Sequence, residues 1–86
     1  MNKFFEKWSR VKARHTKRVV LIPASVFYIA FNEDAEKLHE ILSLELNKAK
    51  KSEDGFESFA RITHLQLNDS LRKLLDSNQP VCVADR

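Results

Sequence analysis

The chain has 86 residues, 43% of them hydrophobic and 31% charged, with one Gly, two Pro and a net charge of +3. That length holds one domain with a modest core, and the scarcity of Gly and Pro excludes a disordered or linker-rich chain. A lone cysteine, Cys82, excludes an internal disulfide and fits a reducing compartment; with no signal-like apolar stretch in MNKFFEKW and no apolar run long enough to span a bilayer, the expectation is a cytoplasmic protein with no membrane partner.

Residues 2–15 read as an amphipathic helix, with Phe4, Trp8 and Val11 at helical spacing, Phe5 on the flank and bases opposite. Residues 1–18 carry seven bases against Glu6 alone, a local charge of +6, whereas the remaining eight bases and eleven acids give −3. A basic arm on a mildly acidic body suits a polyanion such as nucleic acid, or an anionic surface; a solvated basic helix accounts for the same charges. Val19–Ile22 reads as a strand covered on both faces, Pro23–Ser25 as a break, and Val26–Phe31 as a second strand, the pair forming a hairpin.

Asn32 is the expected N-cap of a helix that starts with Glu33 and Asp34 and buries Ala35, Leu38, Ile41 and Leu42. Leu44 and Leu46 alternate with polar residues, the period of a half-buried strand. The polar AKKSEDG then reads as a loop, with Asp54-Gly55 as its turn signal. In the next strand Phe56, Ser58, Ala60 and Ile62 share one side, and Glu57, Phe59, Arg61 and Thr63 the other. Leu67, Leu71, Leu74 and Leu75 form the clearest helical stripe, with the last three expected in the core. Asn78 suits a left-handed helix end, Pro80 blocks continuation, and Val81–Ala84 is a last strand. The order α-β-β-α-β-β-α-β predicts an α/β fold: a small mixed β-sheet packed with helices, one module over 1–86, with a basic N-terminal helix (1–18) and an α/β body (19–86).

Little in the chain carries catalytic chemistry. It has no GxxxxGK[ST] phosphate loop, and its three histidines and one cysteine do not fall at zinc spacings. Cys82 lies in an apolar strand and reads as a core thiol, His39 and His64 as surface or capping residues, and Glu33 with Asp34 as acids favoured by a helix start. The expectation is no enzyme and no cofactor.

Two strings, VVLIPASVFYIAFNEDAEKLHEILSLELNK and LNDSLRKLLDSNQPVCVADR, resemble domain I of the MutS family, the N-terminal mismatch-recognition domain of DNA mismatch repair proteins. Their order and spacing extend the resemblance over about residues 2–86, stand-alone or truncated, with no counterpart of the clamp, lever or ATPase regions. In that family the Phe of an FYE motif wedges into the minor groove and stacks on a mispaired base, and the Glu two positions later hydrogen-bonds it. The resemblance implies Phe27 as the wedge, followed by Tyr28, with Ile29 at the Glu position. Ile cannot hydrogen-bond through its side chain, so that route of discrimination is lost. The expected function is therefore a non-catalytic DNA-binding module with duplex or mismatched DNA as partner. Phe27 stacks, and Lys12, Arg14, Lys17 and Arg18 contact phosphates, an assignment that rests on charge. The alternative is a structural or protein-interaction module that keeps the fold without mismatch readout, its partner a repair protein or a second copy of the chain.

Overall fold

In the computed structural model, residues 3–48 and 55–85 are described. The first helix, α1 (Lys3–Arg14), buries Trp8 and packs Phe5 and Val11 beside it. Phe4 and Phe5 exchange the roles that spacing predicts. Phe5 stacks on Trp8 with centroids 5.8 Å apart and meets Phe31 edge-on at 5.3 Å, whereas Phe4 stays 42% exposed. Once Trp8 fixes the rotation of the helix, the ring that reaches the sheet aromatics wins the buried place.

The chain continues through β1 (Val19–Ala24), β2 (Phe27–Phe31), α2 (Asn32–Leu42), β3 (Asn47–Lys48), β4 (Ser58–Thr63), a 3-10 turn (His64–Gln66), α3 (Leu67–Asp76) and β5 (Val81–Val83). The sheet order is β3-β4-β2-β1-β5, with β1–β5 parallel and the other pairings antiparallel. Two crossovers interlock in it. The segment β2-α2-β3 passes over β4, and β4-α3-β5 passes over β2 and β1. Both helices cover one face, where Leu38 and Leu74 close on Val19, Leu21, Ala30 and Ile62. The other face carries α1, with Trp8, Val20, Ile22, Ile29, Phe31 and Phe56 beneath or beside it. The α/β fold class and the element order expected from the sequence are those observed.

Local details depart from the sequence reading, each for a physical reason. Pro23 does not break β1 but pairs with Tyr28 inside it. In a two-residue hairpin the closing pair, Ala24 and Phe27, faces inward with its hydrogen bonds, so the Pro23 nitrogen points the other way. There β5 has already ended opposite Leu21, and a missing N–H costs nothing. The turn itself is Ser25-Val26, with Ser25 left-handed at φ 60.

Asn32 is not an N-cap. It has φ 51, and its Oδ1 accepts the Glu57 backbone N–H at 2.8 Å, tying the start of α2 to the approach to β4. The strand expected at Leu44–Leu46 is instead Asn47–Lys48. Leu44 and Leu46 alternate because both turn toward the helix-side core, not because they form a ladder. Phe56 precedes β4 and so escapes its alternation, packing on the α1 face against Phe31 at 4.8 Å. Leu75 is 63% exposed while Leu74 is fully buried; α3 is amphipathic, and its stripe passes through Leu67, Leu71 and Leu74 only. Asn78 is left-handed at φ 59. The bonds Asn78 N–H to Leu75 O and Gln79 N–H to Leu74 O, both 2.9 Å, complete the helix end as expected. Residue 54 of the expected Asp54-Gly55 turn lies outside the described residues, but Gly55 has φ 83 and sits where a Cβ would come within 3.0 Å of the Phe5 ring.

Candidate functional site

Strand alternation puts Phe27, Ile29 and Phe31 on the α1 face of β2, and Tyr28 and Ala30 on the face of α2 and α3. The side chain of Phe31 lies in the middle of the aromatic cluster, and Ile29 is 8% exposed. Phe27, the residue nearest the hairpin turn, is half-buried. It lines two depressions that meet at this end of the sheet. One, of about 280 Å³, runs from Phe27 past Ile29 and Phe59 to Phe4 and Arg61. The other, of about 600 Å³, lies between the hairpin turn Ser25-Val26 and the turn Thr63–Leu65. Tyr28 is half-buried on the opposite face, its ring 4.6 Å from that of His64.

The two turns that frame Phe27 are fastened. The His64 backbone N–H donates to Val26 O at 3.3 Å. Thr63 and Gln66 form a reciprocal capping box, with Gln66 N–H to Thr63 Oγ1 at 3.2 Å and Thr63 N–H to Gln66 Oε1 at 3.1 Å. This turn holds Leu65 almost wholly in solvent, at 97% exposure, with Val26 across from it at 63%. Exposed apolar side chains flanking a half-exposed ring on anchored turns form a surface suited to contact with an apolar or stacking partner.

The charges at this end come from residues that the sequence reading did not single out. Lys3, Lys7 and Arg10 line a cleft of about 350 Å³ together with Pro23 and Ser25 of the hairpin. Arg61, exposed on β4, lies with its guanidinium carbon 4.8 Å from the Phe27 centroid and 5.8 Å from that of Phe59. Lys7 also donates to the Asp85 backbone oxygen.

The four bases proposed from charge alone are elsewhere. Because α1 runs back along β1, its last turn and the segment after it lie at the start of β1, roughly 20 Å of strand from the hairpin. Arg14 and Lys17 are exposed there, and the Arg18 guanidinium approaches Val81 O at 3.4 Å. Lys12 is drawn inward. Its Nζ donates to Asp34 Oδ1 at 2.8 Å and to the Arg18 backbone oxygen. The structure thus does not bring Lys12, Arg14, Lys17 or Arg18 to Phe27. The register Ile29–Arg61 and the run of α1 past Pro23 bring other cations there. The one signal available in the sequence was Arg61 sharing a strand side with Phe59.

Asp34 is fully buried, and its Oδ2 accepts the Val20 N–H at 3.0 Å where β1 runs past the ladder with β2. Burial pushes its carboxyl above the ordinary 3.8, outweighing the pull of Lys12 and of the Val20 N–H in the other direction. This is a structural pair far from the hairpin end. Among the described residues no three His, Cys, Asp or Glu side chains group as a metal site, and no helix is long and apolar enough to cross a membrane.

Fold and site together define a small mixed α/β domain that presents one aromatic ring between two anchored turns, with cations on either side. The chain belongs to the MutS domain I family, whose model matches residues 2–86. It is 27% identical over its whole length to the DNA mismatch repair protein MutS of Thermotoga neapolitana. It is 28% identical to the DNA mismatch repair proteins MutS of Petrotoga mobilis, over 94% of the chain, and of Porphyromonas gingivalis, over 93%. The chain spans only about a tenth of the length of these relatives.

Proposed function

We propose that this domain is a non-catalytic DNA-binding module of the cytoplasm that engages a duplex through its hairpin end, with Phe27 as the stacking side chain. The observation that carries this reading is the position of Phe27: half-exposed at the end of the sheet, beside Arg61 and the cleft of Lys3, Lys7 and Arg10. A ring inserted at a base step costs a few kcal/mol of unstacking, least at a mismatched or distorted step. Stacking on a base returns about 1–3 kcal/mol. The balance favours deformable or mispaired sites. The nearby cations supply phosphate contacts, which make binding salt-dependent. Arg14, Lys17 and Arg18 add contacts if the duplex lies along α1, whereas Lys12 is held in its ion pair.

A titration of the chain against homoduplex, mismatched and bulged DNA, followed by fluorescence anisotropy at two salt concentrations, tests this. Binding is expected to favour the distorted duplexes, to weaken as salt rises, and to fall about tenfold or more in Phe27→Ala, while Leu75→Ala binds normally. The absence of binding to any duplex at low salt would sink the DNA reading. The module would then be a structural or protein-interaction unit, a second reading favoured by one observation: Ile29 offers neither donor nor acceptor beside Phe27.

A further inference from the structure

Strand register places Arg61 directly opposite Ile29, on the same face as Phe27 and diagonal to it. Its guanidinium packs over the Phe27 and Phe59 rings, yet among the described residues it makes no ion pair and no hydrogen bond. Thr63, the direct cross-strand partner of Phe27, is committed to its capping box. Arg61 therefore holds a planar fork of five N–H donors beside the proposed stacking ring, with two rings restricting its orientation.

We propose that Arg61 is the polar specificity-determining residue of this domain and reads hydrogen-bond acceptors on base edges in the minor groove next to the step that Phe27 enters. This rests on the DNA-binding reading above. Minor-groove edges of A·T pairs present acceptors only, whereas guanine adds its 2-amino donor. A donor-only fork matches the first and is opposed by the second. Narrow A·T-rich minor grooves also concentrate negative potential that draws Arg in. A residue with hydrogen-bond acceptors at this place would have the opposite preference, so Arg61 across from apolar Ile29 gives the site a defined chemical polarity.

The test uses the 86-residue chain and duplexes that differ only in a central step built from A·T, G·C or inosine·C pairs, inosine being guanosine without the 2-amino group. The wild type is expected to bind the A·T and inosine·C duplexes about tenfold more tightly than G·C, the effect of one well-placed bidentate contact. Arg61→Lys keeps the charge but not the fork. It is expected to retain binding and lose the preference. Arg61→Met is expected to weaken binding to all three duplexes and to equalise them. Arg61 is an exposed side chain, and circular dichroism confirms the fold of each variant. A wild-type preference that persists in Arg61→Lys and Arg61→Met overturns the assignment. So does a wild type with no preference whose Arg61→Met variant merely loses about one unit of salt slope, the mark of a phosphate contact. In either case sensitivity to Phe27→Ala leaves the DNA reading standing, whereas a wild type that binds no duplex overturns both.

Discussion

The Asp34–Lys12 pair is where a single side chain decides most. Asp34 closes two gaps at once, accepting from Lys12 of α1 and from the unpaired Val20 N–H of β1. Asp34→Ala leaves a part-buried ammonium without its counter-ion, held only by the Arg18 backbone oxygen, and a buried Val20 N–H without its acceptor. It is expected to cost about 3–5 kcal/mol in urea unfolding, the range for a broken buried pair. The pH dependence has a definite sign. With the folded carboxyl raised above 3.8, the folded state takes up a proton before the unfolded state does, so stability from this group falls as pH rises through the window above 3.8. Comparing unfolding free energy against pH in wild type and Asp34→Asn should show that downward slope in the wild type only. An equal slope in both would mean that burial does not dominate at Asp34. The sequence displayed Asp34 as one of two acids at a helix start, and nothing local distinguished it from exposed Glu33.

At the scale of elements, helical and strand periods made the type and order of the segments legible. They left open which residues at the margins face inward. Leu74 and Leu75 are the clearest case, adjacent and chemically identical. Only the angle at which α3 lies on the sheet buries the first and exposes the second. Leu74→Ala is expected to cost about 2–5 kcal/mol and Leu75→Ala about 0.5 kcal/mol or less, measured by denaturant midpoint at constant m. The end of α3 offers a second check. Asn78 occupies a left-handed position, so Asn78→Gly should stabilise by about 0.5–1 kcal/mol and Asn78→Ala destabilise by about 1 kcal/mol, read as opposite shifts in Tm. Phe56, Leu44 and Leu46 were misplaced for the same reason: alternation in a sequence does not say where a ladder begins.

Across the whole molecule, the charge distribution along the chain proved a poor guide to charge in space. Counting bases identified the N-terminal arm. The fold then divided that arm between the two ends of α1, leaving Lys3, Lys7 and Arg10 near Phe27 and Arg14 and Lys17 a strand length away. If the hairpin end binds DNA, Lys3→Gln with Arg10→Gln should lower affinity and reduce the salt slope by about two, while Arg14→Gln with Lys17→Gln should change either much less. The reverse ranking, measured by the same anisotropy titration, would move the interface to the start of β1.

What the sequence determined alone was the series of helices and strands, the apolar residues available for a core, and the likeness of its aromatic and leucine-rich strings to one family. These depend on neighbours within a few residues, where backbone geometry imposes its period. Only the tertiary structure decided that Arg61 faces Ile29 and covers Phe27, that Lys12 is neutralised by Asp34, and that the cations of early α1 border the hairpin. Each of those meetings joins segments far apart in the chain. Each follows from β4 pairing beside β2 and from α1 folding back along β1, choices made by burial of the whole core, not by local spacing.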